Sequence, residues 1–309
     1  MPEKHTLNVT TPTRLDQLLA RRWDDLDGAR IRRLIREGAV VVNGVEARKP
    51  GQRLSPDDEV VVDLPELEPA PTPSAAPGLT ISIAYEDDAI LVADKPAGIP
   101  VRRSRDPNQA TLPQLLAERY PDMAHVGGVN RAGVVTTLGE DVSGLVLAGK
   151  SEAYYRELRR SVKRQEVTEI YTALVEGHLE GEYTIEQPIG NVKRARRRLA
   201  VAREGRPATT YVRAQQHYKD GPRDYTLVYV EPQSSRMHQI RVHLSWYGFP
   251  IVGDRVYGSH RQTMLPDRIF LHLSMLELRH PETEEELKVG SELPPALNSI
   301  LTFMRRPKW

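Results

Sequence analysis

The stretch that decides the fold is Gly133-Val-Val-Thr-Thr-Leu-Gly-Glu-Asp-Val-Ser-Gly-Leu-Val-Leu-Ala-Gly-Lys150. Two apolar runs flank a polar middle: the β-branched pair at 134–135 predicts a strand end, and residues 145–148 predict a second, buried strand. The polar segment 136–144 must be a loop, whose small residues let another group approach the backbone closely. On pattern alone, such a loop either connects two core strands or carries a functional site.

The composition is that of a globular protein without an extreme charge. Hydrophobic residues make up 39% and charged residues 28% of the 309 residues, and the formal net charge is +1. Any electrostatic role must therefore come from local clusters of charge. The chain has no cysteine, which excludes a disulfide scaffold, thiolate metal ligands and a cysteine nucleophile, and is consistent with a cytoplasmic protein. No apolar run approaches the ~20 residues that cross a bilayer, so we expect no membrane partner.

Residues 1–64 predict a small N-terminal unit of helices and short strands. Thr13 is placed to cap a first helix, and a second helix is expected from Gly28 to about Glu37. An Asn-Gly turn at 43–44 after a run of valines predicts a hairpin. The second helix carries a cluster of cations: Arg30, Arg32, Arg33 and Arg36. Such a cluster is either a solvated helix face or a set of phosphate contacts for nucleic acid.

Residues 65–79 are rich in proline and predict an extended linker, so we place the domain boundary there. Strands and helices alternate through residues 80–309, which we expect to form one larger domain. The densest basic segment, residues 191–206, predicts an exposed loop or hairpin that is either merely solvated or able to bind a polyanion. The cations of this region are Lys193, Arg194, Arg196, Arg197 and Arg198, with Arg236 further along.

The stretch at 133–145 resembles the active-site motif of the RluA-type pseudouridine synthases, Gly-Ile-Val-His-Arg-Leu-Asp-x-Asp-Thr-Ser-Gly-Leu. The matching positions are Gly133, Val135, Leu138, Asp141, Ser143, Gly144 and Leu145. Thr136 and Thr137 stand in place of His and Arg, and Val142 in place of Thr. Gly139 stands in place of the aspartate that attacks the nucleoside in the family.

A second and more specific match lies at 236–244, Arg-Met-His-Gln-Ile-Arg-Val-His-Leu, where the family has Arg-Thr-His-Gln-Ile-Arg-Val-His-Leu. The resemblance implies that Arg241 is the arginine that pairs with the nucleophilic aspartate. With Gly139 in that place, Arg241 would face an empty position. His238 and Gln239 are expected to hydrogen-bond to the backbone and hold the helix start against the sheet.

Further site residues follow from two other matches. Tyr171 matches the tyrosine of the family's Lys-x-Tyr-x-Ala strand, with Glu169 in place of the lysine. The family tyrosine lies against the target base and is implicated in the final proton transfer, although Tyr171 could equally be a core aromatic. Lys95, in Asp-Lys-Pro-Ala-Gly, matches the family's first hairpin or is simply a surface turn residue. Together with Ser143 and Gly144, Lys95 is expected to shape the site.

The resemblance covers about residues 13–304 and implies an α+β fold. We expect a mixed, mostly antiparallel sheet domain of pseudouridine synthase type, preceded by a small N-terminal α/β domain that resembles the alpha-L RNA-binding domain. The implied activity is the isomerisation of uridine to pseudouridine in structured RNA, by analogy ribosomal RNA, after the base has been flipped out, without metal or cofactor. A metal site is disfavoured, because His238 and His243 are too far apart in sequence to share a helix face as an i, i+4 pair and no carboxylate completes a set.

The glycine at 139 leaves three interpretations. The protein is a working synthase whose residues 136–142 reflect a sequence error, or it is a catalytically inactive RNA-binding relative, or Asp141 or Glu140 has taken over as nucleophile. Each requires a uridine-sized pocket between Tyr171, Arg241 and the turn at Gly139. A glycine cannot itself perform the attack, and loss of a nucleophile usually costs several orders of magnitude in rate.

Overall fold

The computed structural model describes residues 3–23, 28–64, 80–101, 109–128, 130–191, 198–258, 264–265 and 268–305. The chain divides into two compact units, Met1–Pro71 and Thr72–Trp309. Each unit combines helices with mostly antiparallel sheets, so the expected α+β class is confirmed.

The first unit packs two helices on a small sheet. Its elements are β1 (Glu3–Asn8), β2 (Thr13–Arg14), α1 (Leu15–Arg22), α2 (Gly28–Arg36), β3 (Val40–Val42), β4 (Val45–Glu46), β5 (Arg53–Leu54) and β6 (Glu59–Leu64). The sheet order is β1-β6-β3-β4. Asn43 and Gly44 both have positive φ, 50° and 81°, as the predicted hairpin turn requires. Thr13, expected as a helix cap, instead lies in β2, and Arg14 is the N-cap residue of α1.

The second unit is built on a large sheet. Its elements are β7 (Ser82–Glu86), β8 (Ile90–Lys95), α3 (Leu112–Arg119), β9 (Ser143–Gly149), α4 (Glu152–Lys163), β10 (Thr168–Glu176), β11 (Glu182–Glu186), β12 (Ile189–Asn191), β13 (Leu199–Val201), β14 (Thr209–Asp220), β15 (Arg223–Pro232), α5 (Gln239–Trp246), β16 (Leu271–Arg279), β17 (Glu286–Gly290) and α6 (Pro295–Arg305). Its nine-stranded sheet has the order β11-β14-β15-β10-β16-β9-β8-β7, and β17 also pairs with β16.

The parallel pairing of β9 with β16 places the 133–150 stretch in the middle of this sheet. His272 lies opposite Ser143 and Leu273 opposite Gly144. Every residue of β9 is buried, as its continuous apolar run predicts. The neighbouring strand β8 pairs antiparallel with β9. The loop that precedes β9 is therefore attached to the centre of the sheet.

Candidate active site

The loop before β9 is tied down at both ends and exposed in its middle. At its start, Thr136 Oγ1 accepts a hydrogen bond from Leu147 N at 2.9 Å. At its end, Val142 N donates to Gly139 O at 3.1 Å and closes a tight turn. Leu138 and Val142 are buried, whereas residues 139–141 are exposed. Two apolar anchors thus present a short polar turn to solvent.

Lys95 supports this turn from β8. It is fully buried, and its Nζ donates to Pro96 O at 2.8 Å and to Glu140 O at 3.3 Å. Burial, followed by the positive charge of Arg268, lowers the pKa of Lys95 to about 7, against the opposing charges of Asp141 and Glu140. The interpretation of Lys95 as a surface turn residue is therefore wrong, because its amino group is bonded inside the fold.

Arg241 already has a carboxylate partner. From α5, its Nε donates to Asp254 Oδ2 at 2.7 Å and its Nη2 to Asp254 Oδ1 at 2.8 Å, and the two side chains are 10% and 1% exposed. Burial opposes ionisation of Asp254, but the hydrogen bonds and charge of Arg241, with two backbone N–H groups, lower its pKa on balance. Asp254 therefore provides Arg241 with a carboxylate, and the expectation that Arg241 also faces the position of Gly139 stays a prediction.

Tyr257, for which the sequence predicted no role, organises the residues around Arg241. Its Oη lies 3.0 Å from His238 Nδ1 and accepts a hydrogen bond from Leu199 N at 3.3 Å. The guanidinium groups of Arg241 and Arg198 lie 5.2 and 5.7 Å from its ring centroid. Tyr257 therefore joins the paired strands β12 and β13 to the residues on α5. Its only signal in the sequence is the Tyr-Gly pair at 257–258.

His238 and Gln239 begin α5 in different ways. Gln239 Nε2 donates to Thr209 O at 2.8 Å, so its predicted bond to the backbone is confirmed. His238 has the left-handed conformation, with φ 56° and ψ 21°, and bonds a side chain, that of Tyr257, rather than the backbone. Burial, followed by the charge of Arg241, lowers the pKa of His238 and so favours the neutral imidazole.

Asp141 is one of the two carboxylates of the turn, the other being Glu140. Its side chain is exposed, and its negative charge acts on Lys95, His238 and Arg241, raising the pKa of each against the effect of burial. Gly139, two residues earlier, carries no side chain. A Cβ built at Gly139 would meet the side chain of Val142 at 3.2 Å, and the backbone there does not have positive φ. The turn can therefore accommodate a larger residue at 139 with a small adjustment.

Tyr171 is on β10, and β16 lies between β10 and β9 in the sheet. Its side chain belongs to the same hydrophobic core as β9. It is 6% exposed and sits opposite Leu273 of β16, which in turn lies opposite Gly144. Its Oη donates to Glu169 Oε2 at 2.9 Å. Burial, together with the adjacent charge and hydrogen bond of Glu169, raises the pKa of Tyr171 well above its ordinary value. The same buried cluster contains Leu138 and Val142, which anchor the turn.

Ser143 and Gly144 hold the end of the loop against β16. Ser143 Oγ accepts a hydrogen bond from Arg268 Nη2 at 2.7 Å and lies 2.9 Å from His272 Nδ1. Gly144 has φ +120°, and a Cβ there would overlap the carbonyl oxygen of Leu273. A cleft of about 740 Å³ is lined by Lys95, Ser143 and His272, together with residues of the α6 region. Its lining does not include Tyr171 or Arg241, so the pocket expected between those two residues stays a prediction.

The predicted RNA-binding cations fall into three groups. Arg32, Arg33 and Arg36 are exposed on α2, and Arg198 is exposed beside Tyr257. Arg236 is partly buried and donates to Pro207 O and Ser235 O at 3.0 Å, so it braces the backbone. The side chain of Arg30 lies outside the described residues, as do Lys193, Arg194, Arg196 and Arg197.

The histidines of the described residues do not form a metal site. No group of three or more His, Asp or Glu side chains there could hold a metal ion. His243 is instead buried, with its ring nitrogens 2.9 Å from Thr210 Oγ1 and 2.8 Å from Gln187 O. No helix in the described part of the chain is long and apolar enough to cross a membrane.

Comparison with known proteins gives matches over nearly the whole chain. A family model described as RNA pseudouridylate synthase matches residues 89–246, and an S4 domain model matches residues 13–60. An uncharacterized RNA pseudouridine synthase of Bacillus subtilis is 33% identical over 95% of this chain and 94% of its own length. The ribosomal large subunit pseudouridine synthase D of Vibrio parahaemolyticus is 31% identical over 95% of this chain and 91% of its own length. The structure of human RNA pseudouridylate synthase domain containing 1 aligns with a TM-score of 0.59 and 27% identity, covering 73% of this chain and 90% of that one.

Proposed function

We propose that this chain, which belongs to the RNA pseudouridylate synthase family, isomerises uridine to pseudouridine in structured ribosomal RNA. Support for ribosomal RNA comes from the similarity to a ribosomal large subunit pseudouridine synthase over 95% of the chain. The S4 domain match at residues 13–60 supports RNA as the partner, since exposed arginines on α2 suit phosphate contacts. The cytoplasmic location remains a prediction from the sequence.

Asp141 is the residue that we propose as the attacking carboxylate. The observation that carries this choice is that Asp141 is an exposed carboxylate in the turn at 139–142, next to Glu140, whose carbonyl oxygen accepts a hydrogen bond from Lys95 Nζ at 3.3 Å. The carboxylate bonds to C1′ of the ribose and displaces the uracil, which turns and reattaches through C5, so that the carboxylate leaves again.

A second candidate function is RNA binding without catalysis. It is favoured by the Arg241–Asp254 pair, because Asp254 satisfies the guanidinium and leaves it with no need of a carboxylate from the loop. In that case the turn at Gly139 has lost its chemical role, while the basic surfaces keep theirs.

Tritium release from RNA carrying 5-tritiated uridine tests these alternatives. The unsubstituted protein, after the codons for 130–145 have been resequenced, is compared with Asp141→Asn and Gly139→Asp. Release that Asp141→Asn abolishes supports the proposal, and release should be unaffected by a chelator. Release by Gly139→Asp alone would show that this chain lacks only the nucleophile. No release from any variant, with RNA still retained on a filter, would establish the non-catalytic alternative.

The contribution of α2 to RNA binding can be measured in the same filter assay. Replacing Arg32 and Arg36 by alanine should weaken binding to all structured RNAs alike, because phosphate contacts carry no sequence information. The slope of log affinity against log salt should become shallower by roughly 0.7 to 0.9 for each phosphate that is no longer neutralised. An unchanged slope would mean that these exposed arginines are only a solvated helix face.

A further inference from the structure

Within the part of the chain that the structure describes, a carboxyl group on β10 has a single hydrogen-bond partner and no ion-pair partner. Glu169 is partly buried, and its Oε2 accepts a hydrogen bond from Tyr171 Oη at 2.9 Å. Within the described residues, no lysine, arginine or histidine forms an ion pair with Glu169. Desolvated carboxyls are ordinarily paired with a cation or bonded to several donors. A carboxyl kept with only a phenol partner is a candidate for handling protons.

The local backbone supports a functional reason for this contact. Glu169 and Tyr171 are two residues apart in a strand and therefore lie on the same face of the sheet. The pairing of β10 with β16 shifts register between Ile170 and Tyr171. The extra residue of this irregularity is Ser274 of β16, and such bulges occur often beside active sites. Tyr171 belongs to the buried cluster that anchors the turn at 139–142, and its hydroxyl is bonded to the Glu169 carboxyl.

The acid–base properties of the two groups are complementary. Burial and the charge of Glu169 raise the pKa of Tyr171 well above 10, so the phenolate is scarce at neutral pH. Burial also raises the pKa of Glu169 above its ordinary 4.5, which makes it a better proton acceptor than an exposed carboxylate. Tyr171 can therefore accept a proton readily only if it passes its own hydroxyl proton to Glu169.

We propose that Glu169 is a positioning residue that acts through Tyr171, as the end of a proton relay in the reaction proposed above. Once the bond from C1′ to C5 has formed, the C5–H bond breaks and its electron pair forms the C5=C6 double bond, while the electron pair of the C6=N1 double bond moves onto N1. The C5 proton moves to Tyr171 Oη while the hydroxyl proton moves to Glu169 Oε2. N1 takes up a proton from solvent water and Glu169 returns its proton to solvent, so atoms and charge balance without a metal. This inference rests on the proposed function, because Tyr171 must face the base.

The test replaces Glu169 by glutamine, which keeps the size of the side chain but cannot take up the proton. The matched control is Glu176→Gln, because Glu176 lies on the same strand, is partly buried and also has a pKa raised by burial. Both variants are assayed in single turnovers on ribosomal RNA fragments made with either ordinary or 5-deuterated uridine.

We expect Glu169→Gln to slow pseudouridine formation by roughly 10²- to 10⁴-fold, the usual contribution of a general base. RNA affinity should be unchanged, and the isotope effect should rise because breakage of the C5–H bond becomes rate-limiting. Glu169→Asp should recover part of the rate, and Glu176→Gln should react like the unsubstituted protein. A Glu169→Gln rate equal to that of the control, or a slower rate without a larger isotope effect, would overturn the relay.

The two proposals fail in different ways. If neither the unsubstituted protein nor Gly139→Asp forms pseudouridine, the proposed function is refuted before any Glu169 variant is assayed, and the relay falls with it. The coupling itself is measured without turnover, by titrating ¹³C-labelled glutamate with the Glu169 signal assigned from Glu169→Gln. Tyr171→Phe should raise the pKa of Glu169, because the hydrogen bond that it removes favours the carboxylate. An unchanged pKa would overturn the inference whatever the rates show.

Discussion

Replacing Asp254 by asparagine should destabilise the second unit far more than breaking an exposed ion pair does. Asp254 is 1% exposed as a side chain and binds Arg241 through two hydrogen bonds of 2.7 and 2.8 Å. Its Oδ1 also accepts from the backbone N–H groups of Val256 and Tyr257, both at 2.9 Å. The asparagine cannot satisfy all four donors and leaves the buried guanidinium without the carboxylate that binds it.

Removing one partner of a buried ion pair costs about 3–5 kcal/mol. For a unit of this size each kcal/mol lowers the melting temperature by about 2–4 °C, so the expected decrease is about 6–20 °C. Urea unfolding followed by circular dichroism, with a thermal scan beside it, measures both quantities. The control is Lys288→Gln, which breaks the pair with Glu277, in which the Lys288 side chain is 60% exposed. Exposed pairs contribute little, so its midpoint should remain close to that of the unsubstituted protein.

The pH dependence gives a second check on the same pair. The folded-state pKa of Asp254 lies below its ordinary value of 3.8, so its stabilising contribution is complete above that value. The contribution is lost as the pH falls through the folded-state pKa. In that pH range, the free energies of unfolding of Asp254→Asn and of the unsubstituted protein should become equal. An Asp254→Asn midpoint no lower than that of Lys288→Gln at pH 7 would refute the reasoning, since it would mean that Arg241 does not depend on this carboxylate.

Two further predictions concern the loop and its supports. Because the folded-state pKa of Lys95 is lowered from 10.5 to about 7, the unfolded chain binds the extra proton between those values. The free energy of unfolding should therefore rise as the pH increases from about 7 to 10.5. In urea titrations at several pH values, Lys95→Met should show a smaller rise than the unsubstituted protein. An equal rise in both proteins would count against a buried amino group. Gly144→Ala should prevent the soluble protein from accumulating, because its Cβ overlaps Leu273 O, whereas Gly139→Ala should be tolerated, with Val142 3.2 Å away. Equal expression and melting temperatures of the two alanine variants would contradict this geometry.

The site is assembled from segments that are distant in the chain. The turn at 139–142 comes from the loop before β9, the cationic and imidazole side chains come from α5 and β8, and the phenol–carboxyl pair comes from β10. Each segment matched the family separately in the sequence. Their electrostatic coupling became visible only where the fold brought the Asp141 charge to Arg241, His238 and Lys95.

Local patterns in the sequence predicted several elements of the fold. The continuous apolar run at 145–148 predicted β9, and the apolar spacing between Gly28 and Glu37 predicted α2 to within one residue of its end. The Asn-Gly pair predicted its turn because these two residue types adopt positive φ more readily than others do. These features depend on a few neighbouring residues, so a single sequence suffices to identify them.

Side-chain partners were decided by the tertiary structure. The resemblance to the family implied that Arg241 pairs with a carboxylate, and position 139 is a glycine that cannot provide one. The sequence did not show that Asp254 provides a carboxylate for Arg241. It likewise placed Lys95 in a turn-like motif without indicating that burial would reduce its pKa to about 7. The physical reason is that hydrogen bonds and desolvation depend on atoms brought together across the sheet, and a carboxylate pairs with whichever cation the fold places within about 3 Å, irrespective of the distance along the chain.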